Sequence, residues 1–251
     1  MPPIKGQRLL VIGGSAGIGE AVAKLASAEG LDVSIASSNP SRVESAVKRI
    51  RKAVFGARIR GYVCDVNHDD AESSLEQLLA DVKFAANGEP LDHIVYTAAV
   101  LDIRPVSDVS GGYLRDSMQF SFVVPLLIAK LAPRYVKHSS TSSLTFTSGR
   151  LAERPVKGLT VASGRAASLF GITRGLALDL APIMRVNLVS PGATDTEMLG
   201  SAEERAQWVG MTAQTSLLGR IGTPEEVAEA YIYLMKDTNN TGSCVSTNGG
   251  L

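Results

Sequence analysis

The stretch LLVIGGSAGIGEAVAKLA, residues 9–26, decides the fold of this chain. Leu9, Leu10, Val11 and Ile12 form a continuous apolar run without polar alternation, the pattern of a strand buried on both faces of a parallel sheet. Gly13, Gly17 and Gly19 follow in the spacing G-x-x-x-G-x-G, and a helical pattern over 19–28 stops at Gly30. Glycine suits such a loop because a pyrophosphate can approach the backbone closely only where no Cβ intervenes. The N-terminus of the next helix adds oriented N–H groups and a partial positive charge. Glycine spacing alone is a weak signal; strand, loop and helix in this order make it a dinucleotide-binding signature.

Outward from this unit the pattern repeats. Short apolar runs at 32–36, 59–64, 93–97, 143–147, 185–189 and 244–247, with the first at 8–13, alternate with helical stretches. A helix over 41–54 stops at Gly56, and Thr223-Pro224-Glu225-Glu226 combines an N-cap, a proline at N1 and a capping-box glutamate. Repeated βαβ units imply an α/β fold, a doubly wound parallel sheet of about seven strands with helices on both faces, as one domain over 1–251. Ligands of such a sheet bind at the carboxyl ends of the strands, where the strand order reverses. Residues 194–222 break the pattern, with no strand, several glycines and scattered apolar residues (Met198, Leu199, Trp208, Val209, Met211). An insert of this kind reads as a lid over a substrate pocket, with ordinary surface packing as the alternative.

Composition bounds the partner. The chain has 251 residues, 45% hydrophobic and 20% charged, with 25 basic against 25 acidic side chains. A balanced charge argues against nucleic acid or an anionic membrane, which need a basic surface, and leaves a small molecule. The N-terminus has no signal-peptide apolar core, and the apolar stretch SFVVPLLIAKLAPRYV is interrupted by Pro125 and Lys130 before it could span a bilayer. The expectation is a cytoplasmic protein in which this stretch is a buried helix. Cys64 and Cys244 fall at strand-like positions with no metal-ligand spacing, so they read as reduced core thiols and no metal is expected. His68, His93 and His138 read as surface or strand-end residues.

With these motifs in place, the chain resembles the short-chain dehydrogenase/reductase family over nearly its whole length, which implies a single NAD(P)-binding Rossmann domain. The family's T-G-x-x-x-G-x-G stands here as Ile12-Gly13-Gly14-Ser15-Ala16-Gly17-Ile18-Gly19. By that resemblance Gly13, Ser15, Gly17, Ile18 and Gly19 hold the pyrophosphate, and Asp65 and Val66 of CDV contact adenine. Ala98 is what remains of N-N-A-G, LTFTSG resembles the strand that ends in the catalytic serine, here Ser148, and RVNLVSPGATDTEM supplies Pro191, Gly192, Thr194 and Thr196 beside the nicotinamide. At the end of the second strand the chain has neutral Ser37, Ser38 and Asn39, with Arg42 one turn on. An acidic residue there would repel the extra phosphate of NADP; its absence favours NADP(H). Asn39 can also be a simple helix N-cap.

The departures are as informative. Thirteen residues after Ser148 the family's tyrosine is Val161, four further its lysine is Arg165, and its asparagine is Phe120. Valine has no ionisable proton and arginine does not release its own. No tyrosine lies between Tyr135 and Tyr231, so no shift of register restores the acid. Ser148 and Arg165 remain as candidate catalytic residues, Arg165 also as a cofactor ligand, and Phe120, Val161, Met198 and Trp208 as the pocket. Arg150 and Arg154, at its mouth, read as solvated charges. SSNPSR, TSGRLAERP and RVNLVSPGATDTEM are similar to a divergent, largely fungal branch without Y-x-x-x-K that includes reductase/Diels–Alderases. Those enzymes have an acidic residue and a tryptophan after RP, where this chain has Val156-Lys157-Gly158-Leu159. Three readings follow: an atypical NADPH-dependent reductase acting on a pre-activated imine or iminium, a non-redox isomerase or cyclase, and a cofactor-binding pseudoenzyme. By resemblance the helix at 120–132 packs against a second subunit, in a homodimer or homotetramer.

Overall fold

A computed structural model describes residues 3–250. Seven strands form one parallel sheet: β1 (Arg8–Ile12), β2 (Asp32–Ser37), β3 (Arg58–Val63), β4 (His93–Tyr96), β5 (Ser143–Thr147), β6 (Arg185–Pro191) and β7 (Cys244–Thr247), in the order β3-β2-β1-β4-β5-β6-β7. Helices α1 (Gly17–Ala28), α2 (Pro40–Ala53) and α8 (Pro224–Lys236) cover one face, and α3 (Ala71–Ala85), α5 (Val124–Leu131) and α6 (Thr160–Asp179) the other. Each face has its own core. Val11, Ile35 and Val189 pack beneath the first group, and Leu10, Ile94 and Phe146 beneath the second, as side chains alternate across the sheet. The single-domain, doubly wound architecture read from the sequence is therefore the one observed. Among the described residues no helix is long and apolar enough to cross a membrane.

Two sequence expectations need correction. The first helix begins at Gly17 rather than at 19, so Gly17 and Gly19 belong to its first turn and the phosphate loop proper is only four residues long. The apolar stretch after α4 (Gly111–Ser117) is not one helix but three pieces: a π-helical turn over Gln119–Val123, then α5, then a 3₁₀ turn over Ala132–Arg134. Pro125 is the cause. It has no N–H to continue the ladder, and the preceding turn shifts to i→i+5 bonds, Val124 N–H reaching Gln119 O.

At the opposite end of the sheet from the glycine loop, Arg185 is buried among carbonyls. Its guanidinium donates to Ser140, Thr141, Leu234, Met235 and Asn240, tying β6 to the C-terminal turn of α8. His93 opens β4 fully buried, between Ser143 Oγ at 2.9 Å and Gln7 Oε1 at 2.7 Å. Desolvation, with the Arg185 charge nearby, lowers its pKa to about 3, so it is a neutral structural residue.

Candidate active site

β1 lies between β2 and β4, so the strand order reverses at its carboxyl end, where the glycine loop sits. Gly13 has φ +90°, and a Cβ there would lie 2.5 Å from the backbone nitrogen of Ala98. A Cβ on Gly19 would lie 2.3 Å from the carbonyl of Gly13. These two glycines are therefore required by the protein's own backbone as well, whether or not a pyrophosphate approaches them. Thr97, which sequence reasoning passed over, donates its hydroxyl to the carbonyls of Ile12 and Gly13, 3.2 Å each, and so joins the loop to the end of β4. Ser15 is buried in the loop and Ile18 half-buried in the first turn of α1, and Ala16 caps α1 without a side-chain hydrogen bond, leaving the first-turn N–H groups free of side-chain acceptors among the described residues. Behind the loop Arg49 of α2 pairs bidentately with Glu20 of α1, at 2.7 and 2.6 Å.

One strand away, Ser37 is half-buried at the tip of β2, while Ser38, Asn39 and Arg42 are exposed. Asn39 Oδ1 accepts from Arg42 N and from Ser41 Oγ, so the N-cap is real and leaves the Asn39 amide NH₂ and the Arg42 guanidinium facing solvent. The helix N-cap read from the sequence is the observed one. After β3, Asp65 is exposed and accepts from Asn67 N at 2.9 Å, while Val66 is buried with its carbonyl held by Gln119 Nε2 at 2.8 Å. Gln119 is a second residue the sequence reading missed; nothing in its spacing marks it.

The other half of the site is built where β4, β5 and β6 end beside α6. Ser148 directly follows β5, and its N–H donates to Val189 O at 2.8 Å. Its hydroxyl donates to the Ala166 carbonyl of α6, also at 2.8 Å. Val161 is half-buried in the first turn of α6, and Arg165 lies one turn on. Arg165 Nη2 donates to the Val100 carbonyl beyond β4 at 2.8 Å, and its Nε is buried with no partner among the described residues. Phe120 packs its ring against the α6-side core, while its carbonyl accepts from the buried Tyr96 hydroxyl at 2.9 Å. Burial pushes the Tyr96 phenol well above its ordinary pKa, with the nearby Arg165 charge opposing that shift. Arg150 is half-buried and Arg154 exposed. Cys64 and Cys244 are both free thiols, raised to about 11 by burial, so neither is a thiolate at neutral pH.

Pro191 closes β6, and Gly192 packs against the chain after β7: a Cβ there would lie 2.8 Å from Asn248 Cα. Buried Thr194 starts the 194–222 segment, and Thr196 lies over the glycine loop, its methyl 3.1 Å from where a Gly17 Cβ would be. Within the segment, α7 (Ala202–Thr215) starts with a Ser201/Glu204 capping box, a signature legible in the sequence but not used. Trp208 is half-buried on α7, and Met198 is 46% exposed. A cleft of about 310 Å³ beside the loop is lined by charged side chains, among them Glu20, Arg49 and Arg205, and not by the apolar pocket candidates.

A nicotinamide dinucleotide fits these residues. The uncapped N-terminus of α1 offers donors for a pyrophosphate, and the orphaned Arg165 Nε is a buried donor awaiting an acceptor.

Comparison with known proteins finds relatives over nearly the whole chain. Residues 4–251 match the family model described as an SDR-like Rossmann domain. The chain is 47% identical over 251 residues to the short-chain dehydrogenase/reductase ATR9 of Stachybotrys chlorohalonatus, covering 100% of this chain and 98% of that protein. The solved structure of the MalC reductase/Diels–Alderase from Malbranchea aurantiaca superposes with a TM-score of 0.91 at 36% identity, covering 98% of this chain and 95% of that one. A short-chain dehydrogenase from Burkholderia cenocepacia, solved in complex with NADP, superposes with a TM-score of 0.86 at 26% identity, covering 99% of both chains. Fold, loop and strand-end geometry, and these relatives together place the chain in the short-chain dehydrogenase/reductase family, as an oxidoreductase of that type.

Proposed function

We propose that this protein is an NADPH-dependent reductase of a small organic metabolite whose acceptor carbon is already activated as an imine or iminium. The observation that carries the reading is Val161, an apolar side chain in the first turn of α6 where the family places its proton donor. Tyr96 does not substitute for that donor, because its hydroxyl is buried and bound to Phe120 O. Removing a general acid slows ketone reduction by about a hundredfold to ten-thousandfold. Dihydronicotinamide, when bound, would supply hydride chemistry, and an iminium reduced in this way would become a neutral amine without needing a proton from the protein.

In this reading Gly17, Ile18 and the α1 N-terminus bind the pyrophosphate, and Asp65 and Val66 flank the adenine. Ser37, Ser38, Asn39 and Arg42 take the 2′-phosphate, while Arg165 holds the nicotinamide ribose and Pro191, Gly192, Thr194 and Thr196 its carboxamide side. The free Arg42 guanidinium supports NADPH over NADH. Phe120, Val161, Met198 and Trp208 line the substrate side, under a lid formed by 194–222. The exposed Leu114, Phe122 and Val123 support a homodimer or homotetramer through the α4–α5 side, acting in the cytoplasm.

A second reading has support from one observation. The MalC protein is described as both a reductase and a Diels–Alderase, so a site that accelerates a reaction by orientation, at constant NADPH, is the alternative. The deciding experiment follows NADPH absorbance with purified protein and a cyclic iminium, a cyclic ketone and NADH controls. Stoichiometric NADPH loss with the iminium and little with the ketone is expected. Ketone reduction at ordinary family rates, with cyclic imines untouched, defeats the reading. An Arg42→Ala variant is expected to raise the KM for NADPH about tenfold and leave that for NADH unchanged.

A further inference from the structure

We infer that Ser148 serves this site as a hydrogen-bond acceptor, and that the substrate it selects carries an N–H bond on its cationic nitrogen. The preferred substrates are then protonated imines rather than fully substituted iminium ions or ketones. This rests on the reductase reading above and narrows its substrate class.

The argument turns on one proton. A serine hydroxyl has a single hydrogen and two lone pairs, and a backbone carbonyl can only accept. Ser148 Oγ lies 2.8 Å from Ala166 O, so its hydrogen is committed to α6. Ala166 is in the interior of that 20-residue helix, which fixes the direction of its carbonyl. What Ser148 retains for a ligand is its lone pairs. A ketone oxygen is itself an acceptor and meets them with no proton between; engaging it requires breaking the bond to Ala166. A dialkyl iminium offers no donor either. The N–H of a protonated imine does, and the resulting hydrogen bond is charge-assisted.

The surroundings leave this role uncontested. Val161, in the first turn of the same helix, has no polar side-chain atom, and the Arg165 guanidinium, with Nη2 held to the Val100 carbonyl and Nε unpartnered among the described residues, is a donor that offers no lone pair to an N–H. Nitrogen keeps its proton throughout the reaction, so Ser148 orients the acceptor without exchanging a proton with it.

The test is binding to the full-length protein loaded with NADPH, by titration calorimetry at pH 7. The probes are pyrrolidinium, which has N–H donors, and N,N-dimethylpyrrolidinium, which has none; cyclopentanone is the neutral control. Ser148→Ala is expected to weaken pyrrolidinium about tenfold or more, the range for a hydrogen bond to a charged group. Ser148→Thr, which keeps the hydroxyl, restores it, and the dimethyl probe and cyclopentanone are unchanged throughout. Equal loss of both cations in Ser148→Ala, an unchanged pyrrolidinium affinity, or no measurable pyrrolidinium binding to the wild type overturns the inference. NADPH oxidation is scored separately with 2-methyl-1-pyrroline and its N-methyl iminium analogue. Failure to oxidise NADPH with either defeats the reductase reading, while the binding contrast still judges the serine.

Discussion

The phenol of Tyr96 donates a 2.9 Å hydrogen bond to the backbone carbonyl of Phe120, filling a gap that the chain itself opens. Val124 N–H bonds Gln119 O, and Pro125 has no N–H, so neither helical partner reaches Phe120 O. The Ser121 carbonyl loses its donor to the same proline and is satisfied by Ser168 Oγ of α6 at 2.9 Å. Tyr96→Phe is expected to destabilise by about 1–3 kcal/mol, the range for an unsatisfied buried acceptor. For a chain of this size each kcal/mol lowers Tm by about 2–4 °C, which calorimetry resolves. An unchanged Tm would mean that water satisfies the carbonyl.

Glycine substitutions separate fold from propensity. Gly13→Ala places a methyl against Ala98 at a backbone φ of +90°, and the expected result is loss of soluble folded protein or a destabilisation of several kcal/mol. At Gly171, inside α6, a Cβ meets nothing within 4 Å. Gly171→Ala is expected to stabilise by about 0.5–1 kcal/mol through helix propensity. Denaturant titration of the pair checks both signs.

Restoring the missing acid tests what its loss does. The double substitution Val161→Tyr with Arg165→Lys rebuilds the family's pair one helical turn apart. Ketone reduction with NADPH is expected to rise about tenfold to a hundredfold over wild type, with imine reduction unchanged or lower. Steady-state rates on one ketone and one imine read the contrast, and no gain on the ketone argues that the pocket, not the proton, limits that reaction.

Acid stability should report His93. Its pKa is lowered to about 3 from 6.5, so the folded state excludes a proton that the unfolded state binds. The stability it contributes is complete above pH 6.5 and is lost as pH falls from there toward 3, by up to about 1.4 kcal/mol per pH unit. His93→Gln, which keeps a donor and an acceptor, should flatten the dependence of Tm between pH 7 and 4. Parallel curves would assign the acid sensitivity to other groups.

The inner strands were legible because both faces of each are buried, so apolar runs mark them within two residues; β1 and β5 show this directly, whereas β3 is largely exposed at the sheet edge. Helix ends were legible where a cap carries them, as at Thr223 and Glu226. The π turn was not, because Pro125 signals a break without saying how the preceding turn re-registers. Glycine positions were legible but their reason was not: the close approach of Ala98 to Gly13 joins residues 85 positions apart, and only the folded chain shows it. The same holds for Thr97, Gln119 and the Ser148–Ala166 bond, which depend on where β4, the π turn and α6 meet. What residue identity alone could decide, such as the lack of an ionisable group at Val161, was read without any structure.

The segment beyond β6 leaves and rejoins the body at one point: Asp195 N donates to Gly222 O at 2.9 Å, Gly222 N to Ala193 O at 3.2 Å, and Thr194 bridges Gly222. With its two ends clasped, its length is decoupled from the sheet, and doubling such an excursion adds only about 0.6 kcal/mol of closure entropy. The segment is thus an exchangeable cassette. Chains sharing this clasp can diverge within the segment while the sheet beneath stays the same.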